Sequence, residues 1–361
     1  MADSAQTIEP EMIRPSSIRI VQIDPLKDRD WDDLVSSRED HSIFHRSAWA
    51  RVLTETYGHR PYYLRISVEG VEVAIVPLME VNSFLTGRRG VSLPFSDFTG
   101  PLWIDQGHAF SVYYALSEFA RERRWKHIEI RGGAVSPTSA KPFLIYDSHR
   151  LDLRQGTQTI KCGLEASVRK AIRKAEGSGM SVTMDRSSNA MEMFYDLHCR
   201  TRRRHGLPPQ PFAFFKSISR NLMDDNLGEI VLAKLGEVPV AGAVFLHSGR
   251  RVIYKYGASD SLHWPLRPNQ LVMWHAIEHF AEAGYEELHF GRTSQKDAGL
   301  SRFKRSWGCD SEDLPYFRKV RCADKWENAS NQISESHSLF FGHLPIAIGR
   351  IAGQLIYPHL D

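Results

Sequence analysis

Clusters of arginine and lysine are the first sign of chemistry in this sequence. The segment 164–176, LEASVRKAIRKAE, has apolar residues at helical spacing, whereas Arg169, Lys170, Arg173 and Lys174 fall outside the apolar stripe. Four cations within about 8 Å of helix length would form a ridge suited to phosphate groups. A solvated helix face has the same pattern, so a phosphate site and an ordinary surface both remain open.

A second basic cluster, Arg200 with Arg202–Arg204, precedes the proline-bounded exit HGLPP. Together the two clusters suit an anionic small molecule such as a nucleotide-sugar, a pyrophosphate-bearing lipid-linked precursor, or an RNA backbone. Because no nucleic-acid-binding motif accompanies them, the sequence favours the anionic precursor as partner, and DNA is not expected.

The start of the helix LVMWHAIEHFAEAG is a further candidate anion site, because Asn269 follows Pro268 and Arg267 stands beside it. Asn is a favoured N-cap residue, so capping alone would explain Asn269. A helix start also offers free N–H groups and a positive dipole to a phosphate or carboxylate, and Arg267 would strengthen such a site. Both interpretations stay open.

Metal chemistry is not indicated by the histidines or the cysteines. His275 and His279 stand four residues apart, a spacing that can bind a metal, but HAIEH lacks the HExxH glutamate and a clear third ligand. A solvated helix face is favoured, and no metal site is predicted. The scattered cysteines form no CxxC pair, so neither a disulfide framework nor a zinc site is expected. They are Cys162, Cys199, Cys309 and Cys322.

Length and composition indicate a globular protein of two domains. The chain has 361 residues, with 42% hydrophobic and 25% charged residues and a mild net charge of +3. The N-terminus lacks the apolar stretch of a signal peptide, and no run of about 18 apolar residues predicts a membrane span. We therefore expect a cytoplasmic location. The apolar stretch LFFGHLPIAIGRIAGQLIY is interrupted by polar residues, which favours an amphipathic docking tail (323–361) over a membrane-surface anchor. Peripheral contact with the inner face of the membrane stays open.

The order of predicted elements repeats. Residues 1–17 are expected to be disordered, and 18–145 contain helices, a hairpin, a helix and a strand in sequence. The same order recurs in 146–322, around the hairpin AKLGEVPVAGAVFL and the long helix. This repetition predicts a duplicated α/β domain.

Taken together, these segments resemble the FemA/FemB family of aminoacyltransferases and the related BioF-like acetyltransferase domains of the GNAT-like superfamily. The likeness spans roughly residues 40–320. It rests on the order and spacing of a basic helix with an A-x-x-x-G break, then VPVAGAVFLHSGRRVIYKYGASD, RPNQLVMWHAIEHFAEAG, ELHFGR and FKRSWG, with SLPFSDFTGPL in the first half. The resemblance implies an α/β (α+β) fold of two tandem GNAT-like subdomains, each a mixed, mostly antiparallel sheet flanked by helices. It also implies acyl or aminoacyl transfer to an amine on a cell-envelope or exopolysaccharide precursor, in a cleft between the subdomains.

The resemblance also suggests roles for individual residues. Lys304, in FKRSWG, matches the family's basic residue at this element, so it would face the tetrahedral intermediate; a surface lysine in a turn is the alternative. Phe303 and Trp307 flank it and would form an apolar platform. Tyr256, near a strand end, would donate to the carbonyl or pack in the core. Asp97, in PFSDFTG, would accept a proton or hold the acceptor's amine, although turn chemistry explains it equally well.

The acyl donor stays open between aminoacyl-tRNA and acyl-CoA, and no permanently bound cofactor is expected. No long heptad stretch matches the inserted helical hairpin of several tRNA-dependent members, which weakens the case for tRNA. The segment HWPLRPNQ lacks the Q/R-x-x-G-x-G/A loop that cradles the CoA pyrophosphate, and its prolines remove N–H donors, although Arg267 could compensate. A non-catalytic binding module in an envelope-assembly system is the third hypothesis.

Overall fold

A computed structural model describes residues 17–133, 135–137, 140–321, 325–327 and 344–361. The predicted disordered N-terminus, apart from Ser17, and most of the first half of the predicted docking tail lie outside the described residues.

The strands form one large mixed sheet. In chain order they are β1 (Ile18–Ile23), β2 (Arg60–Val68), β3 (Val71–Ser83), β4 (Gly87–Val91), β5 (Leu102–Trp103), β6 (His127–Arg131), β7 (Leu144–Asp152), β8 (Met180–Asp185), β9 (Gly228–Leu235), β10 (Val238–Ser248), β11 (Arg251–Ser259), β12 (Glu287–Ser294), β13 (Asp310–Val320) and β14 (Lys325–Trp326).

Helices cover both faces of this sheet. They are α1 (Trp31–Ser36), α2 (Ser47–Tyr57), α3 (Ala109–Glu122), α4 (Thr157–Gly163), α5 (Ala166–Glu176), α6 (Ser188–Arg204), α7 (Phe212–Ile218), α8 (Pro268–Glu282), α9 (Ala298–Arg305) and α10 (Ile346–Ile356).

The two halves of the sheet share one plan. The order across the sheet is β1-β2-β3-β4-β6-β13-β7-β12-β11-β10-β9-β8. In each half, four strands pair antiparallel, the fourth pairs parallel with the next main strand, and that strand pairs antiparallel with one more. The predicted fold of two tandem units, each a mixed, mostly antiparallel sheet flanked by helices, is therefore confirmed.

In the structure the first half ends with β7, which runs past the predicted boundary at residue 145 to Asp152. With this boundary, the last strand of each half is exchanged. β7 follows β6 in the chain but pairs with β12 of the second half, and β13 follows β12 but pairs with β6 of the first half. β7 and β13 also pair with each other and join the two halves into one sheet. The halves are thus connected by backbone hydrogen bonds as well as by side-chain packing.

Three main apolar clusters support the sheet. One lies beneath α3 in the first half, and one lies beneath α5 and α8 in the second. The third is shared, because α1 and α2 of the first half pack with α6 and α7 of the second. Alternate residues of one strand enter different clusters: Ile230 packs in the shared cluster, whereas Val231 packs beneath α5 and α8. Such period-two alternation with both faces covered explains why these strands are apolar throughout.

Several predicted boundaries differ from the structure. The basic helix begins at Ala166 rather than Leu164, and the separate α4 precedes it. Arg46 occupies the N-cap position of α2, and the hydroxyl of Ser47, the first helical residue, donates to Asp32 Oδ2. The turn predicted around Lys304 is the end of α9.

Candidate active site

An opening in the sheet between β11 and β12 is the centre of the candidate site. The two strands pair parallel only where Arg251–Ile253 face Glu287–His289. Beyond this point a bulge in the β10–β11 register leaves Lys255 as an extra residue between the paired Tyr254 and Tyr256. On the other strand Gly291 adopts a positive φ of 71° and the register with β7 shifts. Backbone groups that a continuous ladder would pair are therefore left to other partners.

Asp97, from the loop after β4, inserts its carboxylate into this opening. Its Oδ2 accepts a hydrogen bond from Lys255 Nζ at 2.7 Å, and its Oδ1 accepts one from the backbone N–H of Arg292 at 3.2 Å. Burial alone would raise the pKa of Asp97, but the charges of Lys255 and Arg292 outweigh it and lower that pKa below its ordinary value. Burial lowers the pKa of Lys255 despite the adjacent carboxylate. A buried ion pair thus links the two halves.

Lys304 occupies the other side of the opening. The end of α9 points its ammonium at β12, and Nζ donates to the carbonyl oxygens of Gly291 at 3.0 Å and Arg292 at 3.2 Å. Its side chain belongs to a residue that is only 3% exposed, and burial lowers its pKa to about 8. An ammonium has three donors, so one N–H is left beyond these two bonds. The prediction of a surface lysine does not apply, because the residue is buried.

The predicted aromatic platform beside Lys304 has a different arrangement. Trp307 is 0% exposed and packs in the cluster beneath α5 and α8, so it is a core residue and not part of an open platform that a substrate could contact. Phe303 is half-buried and meets the Trp307 ring edge-on at 6.1 Å. Because Phe303 keeps some exposure, its predicted binding role is open.

Arg292 and its aromatic neighbours complete the ion-pair surroundings. The guanidinium donates to Tyr316 Oη at 2.8 Å and lies 4.9 Å from the Tyr146 ring centroid. Tyr316 in turn donates its hydroxyl to the backbone carbonyl of Asp97 at 2.5 Å. β12, β7 and β13 each supply one member of this group, so the strand exchange positions the Asp97 loop.

Tyr256 lies near the same carboxylate but within an aromatic cluster. It is half-buried on β11, its ring is 5.4 Å from that of Phe215, and Gln210 Nε2 lies 3.3 Å from its hydroxyl. Lys255 Nζ lies 5.3 Å from the ring centroid. Burial strongly raises the pKa of Tyr256, so the hydroxyl keeps its proton and can act as a donor. The core and functional interpretations therefore both fit the residue.

A cavity of about 480 Å³ lies against the same strands, between the two halves. His289 and Phe98 belong to its wall, with ring centroids 4.4 Å apart. The N–H of Gly291 donates to His289 Nδ1 at 2.8 Å, which leaves Nε2–H to donate to Ser148 Oγ at 2.8 Å. Burial lowers the pKa of His289 to about 3, so the ring is neutral. Carboxylates and arginines line the rim: Glu39, Asp40, Glu287, Glu312, Asp313, Arg150 and Arg251.

The candidate phosphate residues at the start of α8 have separate roles. Arg267, and not Asn269, occupies the N-cap position, and it adopts a left-handed conformation with φ of 64°. Asn269 is the second helical residue and donates its Nδ2 to Ser259 Oγ at 3.3 Å, so its interpretation as the cap is wrong. The amides of Gln270 and Leu271 donate to the Arg267 carbonyl. Because Pro268 has no N–H, few free donors remain at this helix start.

The cations of α5 lie on its outer side. Arg173 is exposed, whereas Arg169 is half-buried and donates to the backbone carbonyls of Cys162, at 3.0 Å, and Leu164. Within the described ranges, no hydrogen bond or ion pair joins Arg169, Arg173 or Arg267 to the Asp97–Lys255 pair or to Lys304. The structure therefore brings Lys304 and Asp97 together, with Tyr256 close by, but leaves the predicted phosphate residues at the surface.

Lys255 and Arg292 are the site residues that sequence reasoning missed. The signal for Lys255 was its place between aromatic residues in the strand VIYKYGAS, where an unpaired charge would be costly. The signal for Arg292 was its position after the glycine of HFGR. Among the residues that the structure describes, no group of three or more His, Cys, Asp and Glu side chains is arranged to hold a metal ion.

Comparison with known proteins finds one matching domain family and several similar structures. Residues 164–305 match the model of the acetyltransferase (GNAT) domain. Among solved structures, FemX is similar with a TM-score of 0.65 and 16% identity, over 84% of this chain and 97% of that one. The C-terminal domain of a candidate lysylphosphatidylglycerol synthetase from Agrobacterium fabrum is similar with a TM-score of 0.54 and 14% identity, over 82% of this chain and 92% of that one. A tandem GNAT protein from the clavulanic acid biosynthesis pathway is similar with a TM-score of 0.51 and 10% identity, over 84% of this chain and 99% of that one.

No curated protein matches the chain at a significant level. The similar structures share less than 20% sequence identity with this chain, so they establish its fold alone. The domain match concerns the second half of the chain and indicates an acyltransferase. The site around Lys304 and Asp97 lies partly within the matched segment and partly on the first half. The chain thus has a fold similar to that of FemX and of a tandem GNAT protein, and its residues 164–305 match the acetyltransferase (GNAT) domain.

Proposed function

We propose that this protein transfers an acyl or aminoacyl group to the amine of an anionic, envelope-related precursor. The observation that carries the proposal is the opening between β11 and β12, which side chains from both halves fill. Asp97 and Lys304 bond the backbone groups of Gly291 and Arg292 there, next to the buried Lys255. Side chains can rotate away from these backbone groups, whereas the hydrogen bonds between two paired strands would keep the groups occupied. The opening can therefore admit a donor's carbonyl group.

The reaction follows from the charges at this opening. The acceptor's amine attacks the carbonyl carbon of the donor, and the carbonyl oxygen becomes an oxyanion. The remaining N–H of Lys304 and the hydroxyl of Tyr256 stabilise that oxyanion, and one such donor is typically worth roughly 10²–10³ in rate. Collapse restores the carbonyl and breaks its bond to a ribose oxygen or a thiol sulfur, which leaves with the proton lost by the amine.

Asp97 holds cationic groups in this scheme rather than taking a proton. Its pKa lies below the ordinary value of a carboxyl group, so it is a weak base near neutral pH. It fixes Lys255 and the Arg292 amide, and it holds the N–H groups of the acceptor's amine. Lys304 has a pKa of about 8, so its neutral form is available near neutral pH. In that form it takes the proton lost by the amine during attack, and it then passes this proton to the leaving group.

The start of α8 favours an aminoacyl ester over acyl-CoA as the donor. CoA-binding GNAT domains cradle the pyrophosphate with free backbone N–H groups, and here Pro268, Gln270 and Leu271 offer none. FemX, a FemAB-family aminoacyltransferase, is consistent with this choice. Arg267, Asn269, Arg169 and Arg173 would contact phosphates of the tRNA or of the precursor. An acetyl-CoA-dependent N-acetyltransferase is the second candidate, supported by the domain match. For either candidate function we propose a cytoplasmic location.

Ligand binding and turnover test the proposal together. Thermal-shift titrations with CoA, acetyl-CoA and a UDP-linked peptidoglycan precursor should show stabilisation by the precursor. A ligand at 100 times its Kd adds about 2.7 kcal/mol. Transfer of a radiolabelled aminoacyl group to the precursor should fall at least about 100-fold in Lys304→Ala, and the exposed neighbour Arg302→Ala should retain activity. Stabilisation by CoA and acetyl-CoA would select the second candidate.

Turnover that is unchanged in Lys304→Ala would contradict the assignment of this residue. Precursor binding without transfer from either donor would instead support a non-catalytic binding module in an envelope-assembly system. Lys304→Arg serves as a second variant, since it keeps the charge if Lys304→Ala is too unstable to assay.

A further inference from the structure

The outer face of α10 carries large aliphatic side chains. Gly353 is buried, and the backbone there lies so close to Pro209 that an added Cβ would stand 1.9 Å from the Pro209 carbonyl oxygen. Ile348, Ile351 and Leu355 are instead 47%, 59% and 68% exposed, and their spacing places them on one stripe. The helix turns a small residue toward the protein and large ones toward solvent, which reverses the usual pattern of a surface helix.

The turn between β3 and β4 extends this surface. Phe84 and Leu85 at its tip are 86% and 64% exposed. The Phe84 ring lies 4.5 Å from the ring of His359, and the Thr86 hydroxyl donates to the His359 carbonyl at 3.3 Å. Since His359 follows α10 by three residues, the turn and the helix lie side by side. Leu360, 40% exposed, adds to them.

Cations accompany the apolar residues on both elements. Arg88 follows the β3–β4 turn with its side chain 49% exposed, and the exposed Lys126 donates its backbone N–H to the Arg88 carbonyl. On the other side, the end of α6 contacts the chain after α10, because Arg202 donates to Tyr357 Oη at 2.7 Å. Arg203, the residue after Arg202, is exposed and adds a further cation at that end.

We propose that this face, formed by α10 and the β3–β4 turn, docks the protein on the surface of an anionic lipid bilayer. A short helix with aliphatic residues on one side lies in the plane of the interface, with those residues at the headgroup–acyl boundary and nearby cations at the lipid phosphates. In the part of the chain that the structure describes, no helix is long and apolar enough to cross a membrane. The inference is independent of the reaction proposed above.

Vesicle cosedimentation of the full chain tests the docking face. The protein should bind vesicles of phosphatidylcholine with phosphatidylglycerol, bind pure phosphatidylcholine more weakly, and lose affinity with added salt. Ile351→Ser with Leu355→Ser should lower the partition coefficient about tenfold or more, because two aliphatic side chains leave the interface. Serine adds no charge, so the loss reports the apolar contact. The added variant Phe84→Ser should lower it further.

Val71→Ser is the matched control. Val71 is 65% exposed and lies at the opposite end of β3, a strand of 13 residues, so it is about 40 Å from the turn. The Val71→Ser variant should bind vesicles with the same partition coefficient as the wild type. An unchanged partition coefficient in the double serine variant, or no binding to either vesicle, would overturn the proposal. A dimer that light scattering detects and that the same double variant dissociates, without vesicle binding, would assign the face to a second copy and also overturn it.

Discussion

The two halves of the sheet open at the same place but are closed by different means. In the first half, β4 and β6 pair parallel only at Gly90–Val91, after which Ser92 donates its N–H to the Glu129 carbonyl and Thr99 pairs with Arg131. The Ser92 hydroxyl also accepts a hydrogen bond from the Arg131 N–H at 2.7 Å. Backbone of the same loop, with this one short side chain, thus closes that opening. In the second half, the side chains of Asp97 and Lys304 close it instead. A closure made by backbone hydrogen bonds is harder to exchange than one made by side chains, which supports our proposal that the chemistry lies at the opening of the second half.

Both halves also bend the second strand of the parallel pair with a glycine. Gly132 follows β6 and Gly291 lies within β12, each with φ of 71°. An added Cβ at Gly132 would meet the Leu314 side chain at 2.8 Å, whereas at Gly291 it would meet Asp97 Oδ1 at 3.2 Å. The same backbone device therefore faces apolar packing in one half and a carboxylate in the other. Each prediction below tests whether this difference is functional.

The largest effect is expected for the buried ion pair. Asp97→Asn leaves the Lys255 ammonium buried without its carboxylate, and the free energy of unfolding should fall by about 3–5 kcal/mol in urea titrations. The double variant Asp97→Asn/Lys255→Met should recover part of this loss. Glu129→Gln breaks the corresponding buried pair with Arg131 in the first half. Glu129→Gln should lower stability without the loss of precursor binding that Asp97→Asn shows. Equal loss of precursor binding in both variants would contradict the comparison.

Lys304 should give the wild type a pH dependence that Lys304→Met lacks. Its pKa of about 8 in the folded protein lies below its ordinary value of 10.5, because burial disfavours the charged form. Below pH 8 Lys304 is protonated in both the folded and the unfolded protein, so the cost of burying its charge is present in full. Between pH 8 and 10.5 the unfolded chain holds more protons, so stability should rise relative to Lys304→Met, by an amount on the order of 1–3 kcal/mol.

Urea titrations across this pH range measure the difference. The exposed Arg302→Met on the same helix is the control and should show the wild-type slope. A wild type and a Lys304→Met variant that change in parallel with pH would show that the ammonium is not buried against Gly291 and Arg292.

Gly291→Ala should cost about 1–2 kcal/mol, because a Cβ is strained at positive φ and would also crowd Asp97. Gly284→Ala is the matched control, since Gly284 has φ of 82° with nothing within 4 Å of an added Cβ. The excess loss in Gly291→Ala over Gly284→Ala measures the crowding alone. Thermal unfolding gives both values, and equal losses would argue that the carboxylate moves aside freely.

The smallest effect concerns two left-handed arginines. Arg267 before α8 has φ of 64° and Arg124 after α3 has φ of 56°, and both are exposed. Glycine at either position should raise the free energy of unfolding by up to about 1 kcal/mol, because it relieves the left-handed strain. Only Arg267→Gly should weaken precursor binding in the titrations above. Equal affinity in both variants would remove Arg267 from the phosphate site.

Local patterns in the sequence predicted the order of elements and the duplication, whereas Lys304 and Asp97 were singled out by the family resemblance. Apolar periodicity and glycine breaks are short-range signals, and they were sufficient for β9, β10 and α8. The pairing of Lys255 with Asp97 was not predictable in this way, because it joins residues 158 apart in the chain. The same holds for the exchange of β7 and β13, since alternation within a strand does not specify its partner. Trp307 was misjudged because a tryptophan beside a lysine has the same sequence pattern in a core and in a binding site.

The strand exchange has a consequence for synthesis on the ribosome. β6 is complete when residue 131 is made, but its partner β13 begins at Asp310, so the first half carries an unpaired strand edge while the rest of the chain is made. Exposed edges of this kind can pair with other chains, so the nascent protein passes through an aggregation-prone stage. A fragment cut to the matched segment 164–305 would lack both exchanged strands and expose β12 in the same way. Expression of either half alone should therefore give insoluble protein, and the smallest folding unit extends at least from β1 to β13.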